Sequence, residues 1–189
     1  TTSGCILGQS VVLRNILTEL AKLVEPRDRE AWFNKIAEWK KKFPFRYDQN
    51  SSTIKPQYII EEICKQTKSE AIITTGVGQN QMWAAQFYKF IKPRQLISSG
   101  GLGTMGFALP AAIGAQMGQP DQMVWATVGD GGLQMTIQEM ATVVQEKLPL
   151  KVAVLNNGYL GMVRQWQQIF FEGRYSGTPL LGPDFAKVA

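Results

Sequence analysis

The sequence has no histidine and only two cysteines, Cys5 and Cys64, with no CxxC spacing. Those absences exclude zinc motifs of the usual ligand spacing, and any Ser-His or Cys-His machinery built from this chain alone. Sparse cysteine also points to a reducing compartment. No apolar run approaches the roughly 20 residues that a membrane-spanning helix needs, so no membrane partner is expected. Neither charge sign dominates: 20 basic and 15 acidic residues leave a net +5, and the basic residues are scattered. The densest run, Lys40-Lys41-Lys42, lies beside Trp39, Phe43, Phe45 and Tyr47. Lysines with interleaved aromatics could stack and neutralise a nucleic acid. The plainer reading is a solvated helix end, and no nucleic-acid partner is expected. At 44% hydrophobic and 19% charged, the 189 residues suffice for one full domain and part of another. Chemistry in such a chain would rest on a cofactor, and a modest positive excess suits an anionic one. The chain opens at Thr1 without Met and closes at Ala189 inside a polar-apolar pattern, so both ends read as cuts.

Apolar residues at Val12, Leu13, Ile16, Leu17, Leu20, Leu23 and Val24 predict an amphipathic helix over residues 10–24. Trp32, Phe33, Ile36 and Trp39 predict a second over 28–42. Phe43-Pro44-Phe45 and the polar stretch from Asp48 to Thr53 read as linker, with a domain boundary near residue 53. Beyond it, strand and helix alternate. Pro56 suits the first turn of a helix reaching Thr67. Strands are expected at Ala71–Thr75, Gln95–Ser98, Met123–Val128 and Leu150–Leu155. Helices are expected from Gln79 to Phe90, from Gly106 to Met117, from the Gly131-Gly132 turn to Lys147, and after Gly158. Such repetition predicts an α/β fold, a parallel sheet with helices on both faces. The Gly, Asp and Asn clusters follow strands and precede helices. They therefore collect at the carboxyl edge of the sheet, where open α/β sheets bind ligands.

Gly101-Leu102-Gly103-Thr104-Met105-Gly106 matches GxGxxG, a pattern that in the right context cradles a dinucleotide. The ribose-binding acid that such a site needs at the end of the next strand is poorly served. Asp121 precedes that strand, and Asp130 is followed by another glycine turn. A stronger constellation is Gly129-Asp130-Gly131-Gly132 followed, one strand later, by Asn156-Asn157. Asp130 could cap a helix or hold a divalent cation beside a diphosphate. The double Asn favours the cation: Asp130, Asn157 and the backbone carbonyl of Tyr159 would supply three oxygens of a near-octahedral magnesium shell. Glycines at 131 and 132 would let the backbone approach phosphates closely.

At these residues the chain resembles thiamine-diphosphate enzymes, and the surrounding segments narrow the resemblance to acetolactate synthase catalytic large subunits. The segments are Gly76–Trp83, Ser98–Gly106, Gly161–Trp166, Arg174-Tyr175-Ser176 and Pro183-Asp184-Phe185. The likeness is close over residues 53–189 and loose over 1–25. It implies a thiamine-diphosphate-binding fold, truncated at its C-terminus, over 53–189. Residues 26–52 would be a linker, and residues 1–25 the end of a middle domain that binds FAD in that family. It further implies cofactor contacts from Val77, Gln79, Asn80, Gly103, Met105, Gly129, Gly131, Gly132, Asn157, Gly161, Met162 and Val163. Asp130, Asn157 and Tyr159 would be the magnesium ligands. The family has His where this chain has Asn80. Met105 would support the bent cofactor, or else merely fill core space. Met162, Val163 and Trp166 share a helix face and would line the acceptor pocket, although a helix-face Trp often belongs to the core. The implied reaction condenses pyruvate with pyruvate or 2-oxobutanoate, with loss of carbon dioxide, in branched-chain amino-acid biosynthesis. No catalytic residue is expected in this chain, because the family's activating glutamate lies in an N-terminal domain. A homodimer or tetramer with the active site at the subunit interface and a regulatory small subunit are implied, in bacterial cytoplasm or in a plastid.

Overall fold

The structure is a computed structural model that describes residues 2–189, with side chains described from Val12 onward. Two compact units meet in sequence between Pro44 and Phe45. The first holds two helices, α1 (Thr2–Leu23) and α2 (Glu30–Lys42). The predicted apolar stripe on α1 is present but uncovered: Val12, Leu13, Ile16, Leu17 and Leu20 are all exposed. α2 buries none of its residues, and Trp32 meets Trp39 edge to face at 5.7 Å. Lys40–Lys42 form its last turn, where positive charge complements the helix dipole.

The second unit spans Phe45–Ala189 and so includes residues 45–52, which composition alone reads as linker. Phe45 and Tyr47 pack on Phe87 at 6.0 and 5.7 Å between ring centroids. Tyr47 donates a hydrogen bond to Glu61, which pushes the phenol pKa up to about 12. α3 (Pro56–Gln66) carries Pro in its first turn, as expected. There follow β1 (Ile72–Thr75), α4 (Gln79–Phe87), β2 (Leu96–Ser98), α5 (Ala108–Gly118) and β3 (Val124–Gly129). The chain continues through α6 (Asp130–Gln134), a 3₁₀ turn at Ile137–Glu139, α7 (Met140–Gln145), β4 (Lys151–Leu155), α8 (Gly161–Phe170) and α9 (Phe185–Val188). The four strands form one parallel sheet in the order β2-β1-β3-β4.

The sheet is covered on both faces, because alternate side chains of each strand point opposite ways. Val124, Ala126 and Val128 join Ala108, Leu109, Ala112 and Ile113 of α5 in one core cluster. Ile73 and Trp125 face the other cluster, built on Ile60 and Ile63 of α3 with Ala84 and Tyr88. Three threonines lie fully buried in the central strands with their hydroxyls satisfied, as burial requires, Thr75 donating to Ser98 Oγ at 2.8 Å. Thr74 donates to the Ala108 carbonyl at 2.9 Å, and Thr127 to the Thr74 carbonyl at 3.2 Å. The α/β architecture read from the sequence is therefore the one found.

α1 starts eight residues before the helix predicted over 10–24, and within the second unit three helix boundaries differ from expectation for local reasons. α4 stops at Phe87 because Tyr88 turns extended and sends its hydroxyl to Thr67, 3.0 Å away. α5 starts after Gly106, whose φ of +82° is incompatible with a helix. The single helix expected from Gly131 to Lys147 is broken at Thr136, where φ is −136° and the hydroxyl donates to the Gly106 carbonyl at 3.0 Å.

Candidate functional site

β1 is followed in sequence by β2 on one side of it, but β3 lies on the other side. The order in which strands are added thus reverses between β1 and β3, and the carboxyl ends of those parallel strands open a crevice there. Thr75 and Gly129 end the two strands. Gly76-Val77-Gly78 leads from the first into α4, and Gly129 leads directly into α6. β4 ends beside β3, Gly129 pairing with Leu155, and delivers Asn156–Leu160 to the same edge before α8 starts. The first turns of α4 and α8 have no side-chain cap. Their amides therefore remain available to an anion, which the helix dipole favours at that end.

A cleft of about 240 Å³ lies at this edge. Every residue that the sequence reading placed on the cofactor lines it: Val77, Gln79, Asn80, Gly103, Met105, Gly129, Gly131, Gly132, Asn157, Gly161, Met162 and Val163. Asp130 and Tyr159 line it as well. Trp166 does not. It stands 55% exposed on α8, its ring 4.8 Å from that of Phe170, and belongs to neither core cluster.

Asp130 is only 3% exposed. Its Oδ2 accepts the Gly158 amide at 2.8 Å, and its Oδ1 has no hydrogen bond among the described residues. No Lys or Arg of the described residues pairs with it. A buried carboxylate with a free oxygen and no cation is costly unless a positive ion joins it. Asn157 Oδ1 accepts the Tyr159 amide at 3.0 Å, folding 157–159 into a tight turn, and the Tyr159 carbonyl joins no backbone hydrogen bond among the described residues. Among the described residues no three His, Cys, Asp or Glu side chains cluster. The donors here are oxygens, one of them charged, and that set suits a hard cation such as magnesium rather than zinc.

Asn80 supplies a second opening for a ligand. Its side chain is 6% exposed, and its Oδ1 is buried without a partner. It occupies space left by two glycines: a Cβ at Gly129 would meet Asn80 Nδ2 at 2.9 Å, and one at Gly76 would meet it at 3.3 Å. Packing of the protein on itself also limits bulk at Gly131. A Cβ there would meet Leu180 Cδ1 at 2.8 Å and Leu160 Cδ2 at 3.3 Å, so those side chains would have to shift to admit one. Gly132 likewise faces Val128 Cγ2 at 3.3 Å. At Gly161, added bulk would meet the side chains of Gln79 and Asn157.

Residues 76–189 match the family described as thiamine pyrophosphate enzyme, C-terminal TPP binding domain. The chain belongs to this family. It is 48% identical over 188 residues to the acetolactate synthase large subunit of Corynebacterium glutamicum, covering 96% of this chain and 30% of that protein. Identity is 46% over 180 residues to the mitochondrial acetolactate synthase catalytic subunit of Saccharomyces cerevisiae, covering 93% and 26%. It is 45% over 184 residues to the acetolactate synthase isozyme 3 large subunit of Escherichia coli, covering 93% and 32%. The chain spans between about a quarter and a third of the length of these relatives.

For a thiamine pyrophosphate-binding domain, the cleft has a few walls that residue types alone did not single out. Gly78 lines it with a φ of +120°, open in practice only to glycine, and the flanking Gly76-Val77-Gly78 pattern held that signal. Trp83 lines it one helical turn beyond Gln79, a spacing that could have marked it. Leu155 and Leu160 also line it and carry no sequence signal beyond their position beside Asn156-Asn157. Gln79 is held from behind, its Nε2 donating to Gln165 Oε1 at 2.9 Å.

Proposed function

We propose that this chain is the diphosphate-binding part of an acetolactate synthase catalytic subunit. In this reading the whole protein joins pyruvate to a second 2-oxoacid, pyruvate or 2-oxobutanoate, with release of carbon dioxide. The observation that carries the reading is the assembly, at one sheet edge, of a buried Asp130 with a free oxygen, Asn157 and the Tyr159 carbonyl, beside Asn80 and the uncapped first turns of α4 and α8. A diphosphate and a carboxylate repel each other unless a cation lies between them. We therefore assign Asp130, Asn157 and the Tyr159 carbonyl to magnesium. Gln79, Asn80 and the turns at Gly103, Gly129 and Gly161 take the thiamine diphosphate. Bound there, the cofactor would supply a stabilised carbanion that no side chain of this sequence can provide. The residues of this chain hold its anionic end, and Met105, Met162 and Val163 give the cleft its apolar wall.

Trp166 is proposed to face the second 2-oxoacid. Its support is position: it lies one turn beyond Met162 and Val163 and is too exposed to serve as core of this unit. Flavin binding belongs to the same proposal only for the full-length protein, in a middle domain of which residues 1–25 would be the end. The names of the bacterial relatives specify a large subunit, which supports a smaller regulatory partner here. Assembly as a homodimer or tetramer, with this cleft completed by a second subunit, belongs to the same proposal. So does location, in cytoplasm or in an organelle. Among the described residues no helix is long and apolar enough to cross a membrane.

The test is product analysis of the full-length protein with thiamine diphosphate, magnesium and pyruvate. Formation of 2-acetolactate, and of 2-aceto-2-hydroxybutanoate when 2-oxobutanoate is added, is the expected result. Acetaldehyde or acetate as the main product would replace this reading with a decarboxylase or oxidase of the same cofactor class.

A further inference from the structure

Arg164 on α8 is tied to no carboxylate among the described residues, and its guanidinium donates no hydrogen bond to the described protein atoms. It lies instead over two aromatic rings. Its Cζ is 3.9 Å from the centroid of Tyr159 and 4.8 Å from that of Tyr175. Neither Arg164 nor Tyr175 lines the cleft, whereas Tyr159 belongs to the turn that carries the proposed metal oxygens. The two rings sit on segments already joined by a short antiparallel bridge, Tyr159 opposite Pro179. The Leu160 amide donates to the Thr178 carbonyl and the Leu180 amide to the Gly158 carbonyl, each at 2.8 Å. Leu180 in turn packs where a Cβ of residue 131 would stand.

We infer that Arg164 is a positioning residue, which clamps the return segment around Tyr175 onto the 156–160 turn and so presets that turn for magnesium and diphosphate. The physical basis is that a loop ordered before binding costs less to bind against, and a competent state populated only in part weakens apparent affinity by that fraction. A planar guanidinium stacks on aromatic faces and is pre-organised to do so, whereas an ammonium is a strongly hydrated point charge on a flexible stem and would hold the two rings less firmly. The inference rests on the reading of the cleft as a magnesium-diphosphate site.

The test uses the full-length protein and two readouts. Titration of thiamine diphosphate at fixed magnesium should show Arg164→Ala binding about 5- to 30-fold more weakly, the range set by two cation–π contacts at partly exposed sites, and Tyr175→Leu, which removes one of them, about 2- to 5-fold more weakly. The double variant should be no weaker than the worse single one, as expected for residues acting through one contact. Arg164→Lys should recover only part of the loss. In cofactor-free protein, amide exchange at Leu160 and Leu180 should quicken in both single variants while the melting temperature stays within a few degrees. Wild-type affinity in Tyr175→Leu, or full recovery in Arg164→Lys, would show that Arg164 acts only as a charge and would overturn the inference. Wild-type protein that binds no cofactor would overturn the site reading together with it, whereas normal wild-type binding with unaffected variants overturns this inference alone.

Discussion

Asn157 is asked to do two things with one oxygen. Its Oδ1 already accepts the Tyr159 amide, and the same atom is the proposed neutral ligand of magnesium. An acceptor has two lone pairs, so both tasks are compatible. Asn157→Ala should therefore loosen the turn as well as remove a ligand. In the full-length protein, magnesium-dependent cofactor binding is expected to weaken by about 10-fold or more, the scale seen when groups around a metal are lost. Unchanged affinity would leave Asn157 as a turn residue only. Gly131→Ala probes packing instead. Its methyl group would meet the ends of two leucine side chains, which can shift, so a stability loss of about 1–3 kcal/mol is expected. Denaturant unfolding with an unchanged midpoint would mean that the space is not needed. Asp130 and Asn157 were legible in the sequence because each ends an apolar strand, and parallel strands put those ends at one edge. The unpartnered oxygen of Asn80 was not legible, because its burial depends on two glycines brought beside it from the ends of β1 and β3.

At the scale of elements, β3 shows why the parallel sheet could be read so directly. Its side chains are buried toward both core clusters, so the strand is nearly continuous in apolar residues and needs no alternation to be recognised. Leu109 of α5, 1% exposed, bridges that strand to the helix layer. Leu109→Ala should destabilise the protein by about 2–5 kcal/mol in denaturant unfolding, from lost burial and a residual cavity. A change below about 1 kcal/mol would contradict the packing described. The break at Thr136 escaped sequence reading because nothing local forbids a helix there. The hydroxyl is taken by the Gly106 carbonyl, thirty residues away. α8 poses the opposite problem: its period was clear, but the face that needs a partner was not. Trp166 turns out to be exposed rather than core, and its proposed role is to favour the larger acceptor. Trp166→Leu should lower the preference for 2-oxobutanoate over pyruvate by about 10-fold or more, since one methylene in a pocket is worth roughly 1–3 kcal/mol. Competition between the two acceptors gives the ratio, and an unchanged ratio would remove Trp166 from the pocket.

For the molecule as a whole, the cleft in this chain is proposed to be one part of a larger active site. The chain spans between about a quarter and a third of its relatives, and the activating glutamate is proposed to lie in another domain of the full-length protein. The 189-residue chain alone is expected to form no acetolactate even with saturating cofactor and magnesium. Circular dichroism should accompany the assay to confirm that the chain is folded, and measurable product from it would contradict the division of labour proposed. The central claim is that Asp130 anchors magnesium, and through it the diphosphate, at the switch point between β1 and β3. Calorimetric titration of thiamine diphosphate into full-length protein, wild type and Asp130→Ala, with and without magnesium, tests it most directly. The account predicts binding that requires magnesium in the wild type. In a folded Asp130→Ala protein it predicts binding at least about 100-fold weaker. Wild-type affinity in that variant, or binding indifferent to magnesium, would contradict it.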